Sequence, residues 1–282
     1  MFKGVATALI TPFTNDNKVD ADSLKRLLEY QLYGGVNAVV VLGTTGEPAT
    51  MTQSEKAQVV ECALKTVGGK IPVIVGAGSN GTQSAKDACK FFEGLGADAL
   101  LVVTPYYNKC TQDGLICHYT EIANATNLPI ICYNVPGRTG VNMLPATFSR
   151  IADIDNVCAI KEASGNMEQI CECLRLAEGK AEVYSGDDAL TVPVMAMGGA
   201  GVISVASNAY PKYVSEMTKA FFEGDLKKAS AMQKEMLPFV RALFAEVNPI
   251  PIKRTLSALG FCENVLRLPL TPSKSDKAAL MN

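Results

Sequence analysis

Lys161 and Tyr133 are polar side chains that each close an apolar run of the chain. The run before Lys161 covers residues 157–160, and Tyr133 ends the run 129–133. A lysine that leaves a dry apolar segment loses solvation of its ammonium, which favours the neutral amine. Such an amine can attack a carbonyl and form a Schiff base, and a neighbouring phenol can move protons on the carbinolamine. Either residue could instead be structural, the lysine reaching water past a strand end and the tyrosine filling the core.

Two further segments carry groups suited to binding a carboxylate. Thr44 and Thr45 lie in a glycine-flanked turn at 43–47, where hydroxyl and backbone N–H groups can hold an anion or simply close the turn. Arg138 lies in the sequence Pro-Gly-Arg-Thr-Gly at 136–140, and a guanidinium can bind a carboxylate through two parallel hydrogen bonds. A solvated loop arginine is the alternative.

The other titratable groups near these segment ends indicate structure rather than chemistry. Asp187 and Asp188 precede a helical pattern and are expected to cap it, rather than to act as acids or metal ligands. Glu162 should face away from Lys161, because neighbours on a strand alternate, and an ion pair on the outer face is expected. His118 is the only histidine, so a histidine-based metal site or a catalytic triad is disfavoured. No metal is predicted, with a magnesium site made of carboxylates alone as the remaining alternative.

The composition excludes several classes of protein. The 282 residues contain 26 Lys and Arg against 28 Asp and Glu, a net charge of −2. There is no basic excess to neutralise a phosphate backbone, which argues against nucleic-acid binding. Charged residues make up 19% and hydrophobic residues 48%, which excludes a disordered chain and favours extensive buried surface, including subunit contacts.

The cysteines and the chain's start indicate a reducing compartment. Nine cysteines without a CxxC pair are expected to be buried free thiols. The N-terminus shows no apolar segment or cleavage site of a secretory signal, so a cytoplasmic protein is expected. The uncharged stretch 189–211 is interrupted by glycine, serine and asparagine, which fits a buried strand with its loops better than a membrane span.

Short apolar runs alternate with stretches of helical period along the chain. Asp20, and Thr52 with Glu55 as a capping box, predict the starts of two helices. Most runs are apolar throughout, which is typical of a parallel sheet covered on both faces. Eight such β-α units predict a (β/α)8 TIM barrel over residues 1–223. Residues 224–282 are predicted to form a helical C-terminal extension. Prolines at 249, 251, 269 and 272 are expected to interrupt its helices. The predicted strands cover 5–10, 38–42, 72–75, 99–103, 129–133, 158–161, 182–185 and 201–204.

A doubly wound nucleotide-binding sheet is the rival architecture, because residues 76–81 match GxGxxG after a strand. The motif follows the third strand rather than the first, and the next strand ends without a carboxylate that could hold a ribose. The barrel is therefore favoured, and in a barrel the catalytic groups lie at the carboxyl ends of the strands.

Five motifs, in order along the chain, resemble those of the pyruvate-dependent class I aldolase family that contains N-acetylneuraminate lyase and dihydrodipicolinate synthase. The resemblance extends from Gly4 to the C-terminal helices and is greatest to the synthase branch. The motifs are Gly-Thr-Thr-Gly-Glu at 43–47, Pro-Tyr-Tyr-Asn at 105–108, Tyr-Asn-Val-Pro-Gly-Arg-Thr at 133–139, Lys-Glu-Ala-Ser-Gly at 161–165 and Ser-Gly-Asp-Asp at 185–188.

The resemblance implies a condensation of pyruvate with L-aspartate 4-semialdehyde, on the route to lysine and diaminopimelate. It implies that Lys161 forms an imine with pyruvate. It also implies a homo-oligomer, commonly a dimer of dimers, and no metal or organic cofactor. The resemblance further implies a proton relay made of Tyr133, Thr44 and Tyr107, with Tyr107 supplied by the neighbouring subunit. Thr45 is implied to bind the carboxylate of pyruvate, and Arg138 to bind the carboxylate of the aldehyde. Gly186 and Ile203 are implied to line the pocket.

Two alternatives to a synthase remain at this point. A lyase or aldolase for another 2-oxo acid is the nearer one, although the lyase branch usually lacks arginine at the position of Arg138. The other alternative is a non-catalytic barrel that binds small acids. The presence of all four implied catalytic residues, Lys161, Tyr133, Thr44 and Tyr107, argues against it.

The resemblance also covers part of a lysine effector site. Ala49, Asn80 and Tyr106 resemble its members, but lysine-inhibited relatives often have two histidines and a glutamate where this chain has Gln53, Lys56 and Ser84. Without the glutamate an effector ammonium loses a partner, and Lys56 adds a like charge. Weak or absent inhibition by lysine is therefore expected.

Overall fold

Eight parallel strands form a closed barrel in the order in which they occur along the chain. The computed structural model describes residues 1–273, 275 and 278–281. Every predicted strand is present within two residues of its expected bounds. The (β/α)8 barrel is therefore confirmed and the doubly wound sheet is wrong. The strands are β1 (Gly4–Ala8), β2 (Ala38–Val41), β3 (Val73–Gly76), β4 (Ala99–Val103), β5 (Ile130–Asn134), β6 (Val157–Glu162), β7 (Glu182–Ser185) and β8 (Gly201–Ser204).

The helices begin where the capping signals predict them. Asp20 accepts a hydrogen bond from the Ser23 N–H, and Thr52 and Glu55 form the expected reciprocal capping box. Among the described residues no helix is long and apolar enough to cross a bilayer. The helices are α1 (Ala21–Tyr33), α2 (Gln53–Val67), α3 (Thr82–Leu95), α4 (Gln112–Ala123), α5 (Pro136–Thr139), α6 (Pro145–Ile151), α7 (Met167–Ala177), α8 (Thr191–Ala196), α9 (Pro211–Phe222), α10 (Leu226–Leu243) and α11 (Ile250–Ala258).

Contacts group the chain into two compact units. The central unit consists of residues 1–3 and 74–203 and contains β4 to β7 with α3 to α8. The terminal unit consists of residues 4–73 and 204–282 and contains β1, β2, α1, α2 and α9 to α11. This grouping does not test the expected boundary between a barrel over 1–223 and an extension over 224–282, which stays a prediction.

The C-terminal prolines act differently from the expectation. The chain leaves α10 after Leu243, and Pro251 lies in the first turn of α11, where a missing N–H is harmless. The expected break at Pro269 is wrong, because α11 already ends at Ala258. Gly260 follows with φ +79°, a conformation that glycine adopts readily and that is typical of helix ends.

The 76–81 segment that matches GxGxxG has a packing explanation. A Cβ atom at Gly78 would lie 2.4 Å from the backbone nitrogen of Val103 on the neighbouring strand. Only glycine allows the chain to approach β4 this closely.

Candidate functional site

Lys161 and Tyr133 lie side by side on neighbouring strands of the central unit. They are direct partners in the register of β5 and β6, and the Nζ atom of Lys161 lies 4.4 Å from the centre of the Tyr133 ring. Lys161 is only 5% exposed, so its ammonium does not reach bulk water as a snorkelling lysine would. The structure therefore holds the amine inside the barrel, against an aromatic ring that carries a hydroxyl.

Gly186 leaves space beside the stem of Lys161. A Cβ atom at position 186 would lie 3.1 Å from Lys161 Cε and 2.6 Å from the Cβ atom of Ala163, closer than real Cβ contacts allow. The N–H of Gly186 donates to the carbonyl of Glu162 at 2.7 Å, which fixes the loop after β7 beside β6. Ile203 is the last residue of the central unit, lies on β8 and is fully buried.

Glu162 follows Lys161 on β6 and is also fully buried. The expected outer-face ion pair is wrong: in the part of the chain that the structure describes, no cation pairs with this carboxylate. Three N–H donors take the place of a cation. The backbone N–H of Ser164 donates to Oε1 of Glu162 at 2.6 Å. The side-chain amides of Asn134 and Gln169 donate to Oε2, at 2.9 Å and 3.2 Å respectively. These bonds tie β5, β6 and α7 together next to the lysine.

Tyr107 projects from the central unit and is 90% exposed. It lies in the loop after β4 with φ +71°, which is uncommon for a residue other than glycine. Its N–H donates to the carbonyl of Thr139 at 3.3 Å, so the loop is attached to α5. The ring of Tyr107 is thus held in a defined place and is accessible to another molecule.

Arg138 lies on the short helix α5 and is exposed. The backbone beneath it is fixed by Thr139, whose buried hydroxyl group lies 3.2 Å from the Val135 carbonyl and 2.9 Å from the Val141 carbonyl. The guanidinium therefore extends from a well-anchored turn directly after β5, the strand that carries Tyr133.

In the terminal unit, Thr44 and Thr45 begin a 3₁₀ turn, Thr44–Gly46, that follows β2. Thr45 is 3% exposed, and its Oγ1 atom accepts a hydrogen bond of 2.9 Å from Asn248 Nδ2. Asn248 could not be identified from the sequence, because it lies 203 positions from Thr45 and only an Asn-Pro pair before a helix marks the place.

Glu47 closes the same turn and pairs with a buried lysine. Its Oε1 atom lies 2.5 Å from Nζ of Lys253, and both side chains are almost completely buried. Burial lowers the pKa of Lys253, and the carboxylate of Glu47 opposes that shift. Lys253 is thus a structural lysine, whereas among the described residues Lys161 has no carboxylate partner, which is the arrangement expected for a nucleophilic amine.

His118 and Asp187 have structural roles, as the sequence predicts. The His118 Nδ1 atom is hydrogen-bonded to Thr82 Oγ1 at 2.9 Å, and burial lowers the pKa of this histidine to about 4, so the ring is neutral at pH 7. Asp187 accepts a hydrogen bond from the N–H of Ala189 at 2.8 Å and caps the turn after β7.

In the described ranges of the chain, no three His, Cys, Asp or Glu side chains form a group that could hold a metal ion.

The nine cysteines are all free thiols. The expectation that they are uniformly buried is wrong, because only Cys89, Cys132 and Cys173 are fully buried and Cys117 is exposed on the outer face of α4. Burial raises the pKa of Cys158 to about 11 and that of Cys132 well above its ordinary value. Both thiols next to the site therefore stay protonated at neutral pH and are poor nucleophiles.

A family model described as the dihydrodipicolinate synthetase family matches residues 1–281. The chain belongs to the dihydrodipicolinate synthetase family. Curated members of this family bear the name 4-hydroxy-tetrahydrodipicolinate synthase. The protein of Alkaliphilus oremlandii is 52% identical over 272 residues, which are 96% of this chain and 93% of the relative. The protein of Thermotoga neapolitana is 49% identical over 285 residues, which are 100% of this chain and 97% of the relative.

Solved structures of dihydrodipicolinate synthases have the same fold. The enzyme of Thermotoga maritima is similar with a TM-score of 0.96 and 49% identity, over 99% of this chain and 95% of that chain. A dihydrodipicolinate synthase variant described as monomeric is similar with the same TM-score and identity, over 99% of this chain and 93% of that chain.

Proposed function

We propose that this member of the dihydrodipicolinate synthetase family is a 4-hydroxy-tetrahydrodipicolinate synthase that condenses pyruvate with L-aspartate 4-semialdehyde. The observation that carries the proposal is the buried amine of Lys161, 4.4 Å from the ring centre of Tyr133. The names of the relatives at about half identity over the full chain support it. The product belongs to lysine and diaminopimelate biosynthesis.

In the proposed reaction, the amine of Lys161 attacks C2 of pyruvate and forms a carbinolamine, which loses water to give an imine. Loss of a proton from C3 gives an enamine, and the enamine carbon attacks the aldehyde carbon of the second substrate. The amino group of that adduct then attacks C2, closes the ring and releases Lys161. One pyruvate and one aldehyde thus give one ring product and one water.

The other site residues bind and move protons in this scheme. Tyr133, Thr44 and Tyr107 form the proton relay, in which a phenol can give and take protons at the carbinolamine. The buried hydroxyl and N–H of Thr45 bind the pyruvate carboxylate. Arg138 binds the carboxylate of the aldehyde, since a guanidinium forms two parallel bonds to such a group. Gly186 and Ile203 line the pocket beside the lysine.

We further propose that the chain acts as a homo-oligomer, a dimer of dimers, in which Tyr107 enters the site of its neighbour. The ring is 90% exposed in the single chain, and this supports the proposal, because tyrosine is enriched at interfaces between subunits. The nine free thiols support a cytoplasmic location, where thiols stay reduced. The chemistry of the scheme needs neither a metal nor an organic cofactor.

A coupled assay with pyruvate and L-aspartate 4-semialdehyde tests the proposed function. We expect the two substrates to be consumed one for one, with formation of the cyclic product. Pyruvate offered with a sugar aldehyde is the control for the lyase alternative and should give no condensation. Turnover with the sugar aldehyde but not with the semialdehyde would assign the chain to that branch instead. Binding of pyruvate without turnover of either aldehyde would support the non-catalytic barrel.

L-Lysine is expected to inhibit the enzyme weakly or not at all. Lys56 is half-buried, and Gln53 and Ser84 are exposed; these three side chains supply one cation and no carboxylate to an effector ammonium. Loss of a charge-assisted hydrogen bond costs about 1.5–3 kcal/mol, so an effector should bind at least about tenfold more weakly. Initial rates over a lysine titration measure this, and the variant Ser84→Glu should show stronger inhibition than the parent. Inhibition of the parent at low lysine concentration would contradict the prediction.

A further inference from the structure

The turn that carries Thr45 is attached to the C-terminal part of the terminal unit by two buried contacts and one half-buried contact. Asn248 Nδ2 donates to Thr45 Oγ1 at 2.9 Å. Lys253 Nζ lies 2.5 Å from Oε1 of Glu47, and the backbone N–H of Arg267 donates to Oε2 of Glu47 at 3.3 Å. We call Asn248, Lys253 and Arg267 the C-terminal anchor.

We propose that Asn248 is a positioning residue that aims the hydroxyl proton of Thr45 at the carboxylate of the 2-oxo acid substrate. The proposal rests on the function proposed above, in which Thr45 binds that carboxylate. A threonine hydroxyl has one proton to donate and lone pairs that accept. Because the amide of Asn248 donates to Oγ1, the O–H bond of Thr45 must point away from Asn248. In the described part of the chain, this hydroxyl has no acceptor of its own, so its proton is available to an anion.

Burial makes this orientation stable. Thr45 is 3% exposed and Asn248 is 6% exposed, so water does not compete for the hydroxyl as it would at a surface. The side chain of Asn248 is uncharged, so its hydrogen bond to Thr45 adds no negative charge beside the anionic substrate. A carboxylate at position 248 would instead accept the Thr45 proton and repel the anionic substrate.

The other two members of the anchor hold the backbone of the turn. Glu47 has φ +55°, a left-handed conformation that a residue with a side chain adopts only where its surroundings fix it. Lys253 and Arg267 fix both oxygens of its carboxylate. A buried ion pair cannot open without leaving a charge unpaired, so the turn keeps one position. The helical C-terminal segment thereby helps to shape the substrate-carboxylate site.

The test compares Asn248→Ala and Asn248→Asp with the parent enzyme in steady-state assays. For Asn248→Ala we expect a KM for pyruvate about tenfold higher, with kcat and the KM for the aldehyde within about twofold, because one neutral hydrogen bond that orients a binding group is lost. For Asn248→Asp, which has nearly the same shape, we expect the KM for pyruvate to rise by about 100-fold, because a charge repulsion is added.

Two controls separate positioning from a loss of structure. Thr255→Val removes a buried hydroxyl of α11 that donates to the Ala279 carbonyl at 2.9 Å, and it should lower thermal stability without changing the KM for pyruvate. Thr45→Val should raise that KM, and addition of Asn248→Ala to Thr45→Val should change it no further, since the two residues act through one hydroxyl.

The outcomes distinguish the proposal from the function on which it rests. An unchanged KM for pyruvate in Asn248→Ala, or additive effects of the two substitutions at 45 and 248, overturns the positioning role while the parent's turnover still supports the synthase. A parallel fall in kcat and stability, with KM constant, assigns Asn248 a merely structural role and likewise overturns the proposal. A parent enzyme that forms no borohydride-trapped adduct with pyruvate overturns both.

Discussion

Replacement of Lys161 by alanine should abolish the covalent adduct that borohydride traps between the enzyme and pyruvate. In the parent chain, reduction of the imine should add a pyruvate-derived mass at Lys161, detectable in the intact protein and in the peptide that contains this residue. We expect kcat/KM of Lys161→Ala to fall by at least about 10⁴, because the scheme loses its nucleophile rather than one of several binding contacts.

The buried position of Lys161 defines two matched controls. Lys161→Arg places a basic side chain of similar length against the Tyr133 ring but offers no nucleophilic amine, since a guanidinium stays protonated in proteins. It should be as inactive as the alanine variant, which would show that the nucleophile matters and not the charge. Lys253, the other buried lysine, is paired with Glu47 and should carry no adduct in the parent enzyme.

The contradicting results are equally specific. An adduct of the same yield in Lys161→Ala would assign the imine to another lysine. Substantial turnover in Lys161→Arg would mean that the condensation does not pass through a covalent intermediate on this side chain.

The positions of the strands could be predicted from the sequence because the strands are buried on both faces. All residues of β1, β2, β5 and β8 are buried. Each of these strands therefore appears in the sequence as a mainly apolar run, in which polar residues such as Thr7 and Ser204 are few. The polar residue that ends such a run lies at the carboxyl end of a strand, where barrel chemistry occurs. Lys161 and Tyr133 therefore emerge as neighbours from the spacing of two runs, without any knowledge of the fold's contacts.

The partners of buried polar groups could not be predicted in the same way. Alternation along β6 correctly turned Glu162 away from Lys161, but the pattern could not show that amide donors from Asn134 and Gln169 would replace a cation. Such donors come from other elements, and many arrangements of hydrogen bonds satisfy a buried carboxylate equally well. The expected ion pair was wrong for this reason.

Long-range anchoring was missed for a related reason. Glu47 and Lys253 are charged residues of ordinary appearance in the sequence, and only the fold places them 2.5 Å apart. The proposed role of Tyr107 in a neighbouring subunit likewise rests on the resemblance to a family, because a single chain shows only an exposed ring.

Replacement of Arg138 by alanine should impair use of the aldehyde while leaving imine formation with pyruvate intact. A bidentate, charge-assisted contact to a carboxylate is worth about 2–4 kcal/mol when one partner is removed. Since about 1.4 kcal/mol corresponds to a tenfold change, kcat/KM for L-aspartate 4-semialdehyde should fall by about 30- to 1000-fold. The yield of the pyruvate adduct after borohydride reduction should equal that of the parent.

The anchored turn under Arg138 makes this prediction sharp, because truncation of an exposed side chain on α5 should leave the Thr139 hydrogen bonds in place. Arg138→Lys keeps the charge but loses the planar fork, so its kcat/KM should lie between those of the parent and the alanine variant. Arg150→Ala removes another exposed arginine, whose ion pair with Asp113 is a surface contact of 3.3 Å, and should leave both substrates' kinetics unchanged. Loss of pyruvate trapping in Arg138→Ala would place this arginine in the first half-reaction, and unaltered aldehyde kinetics would show that a different cation receives the second carboxylate.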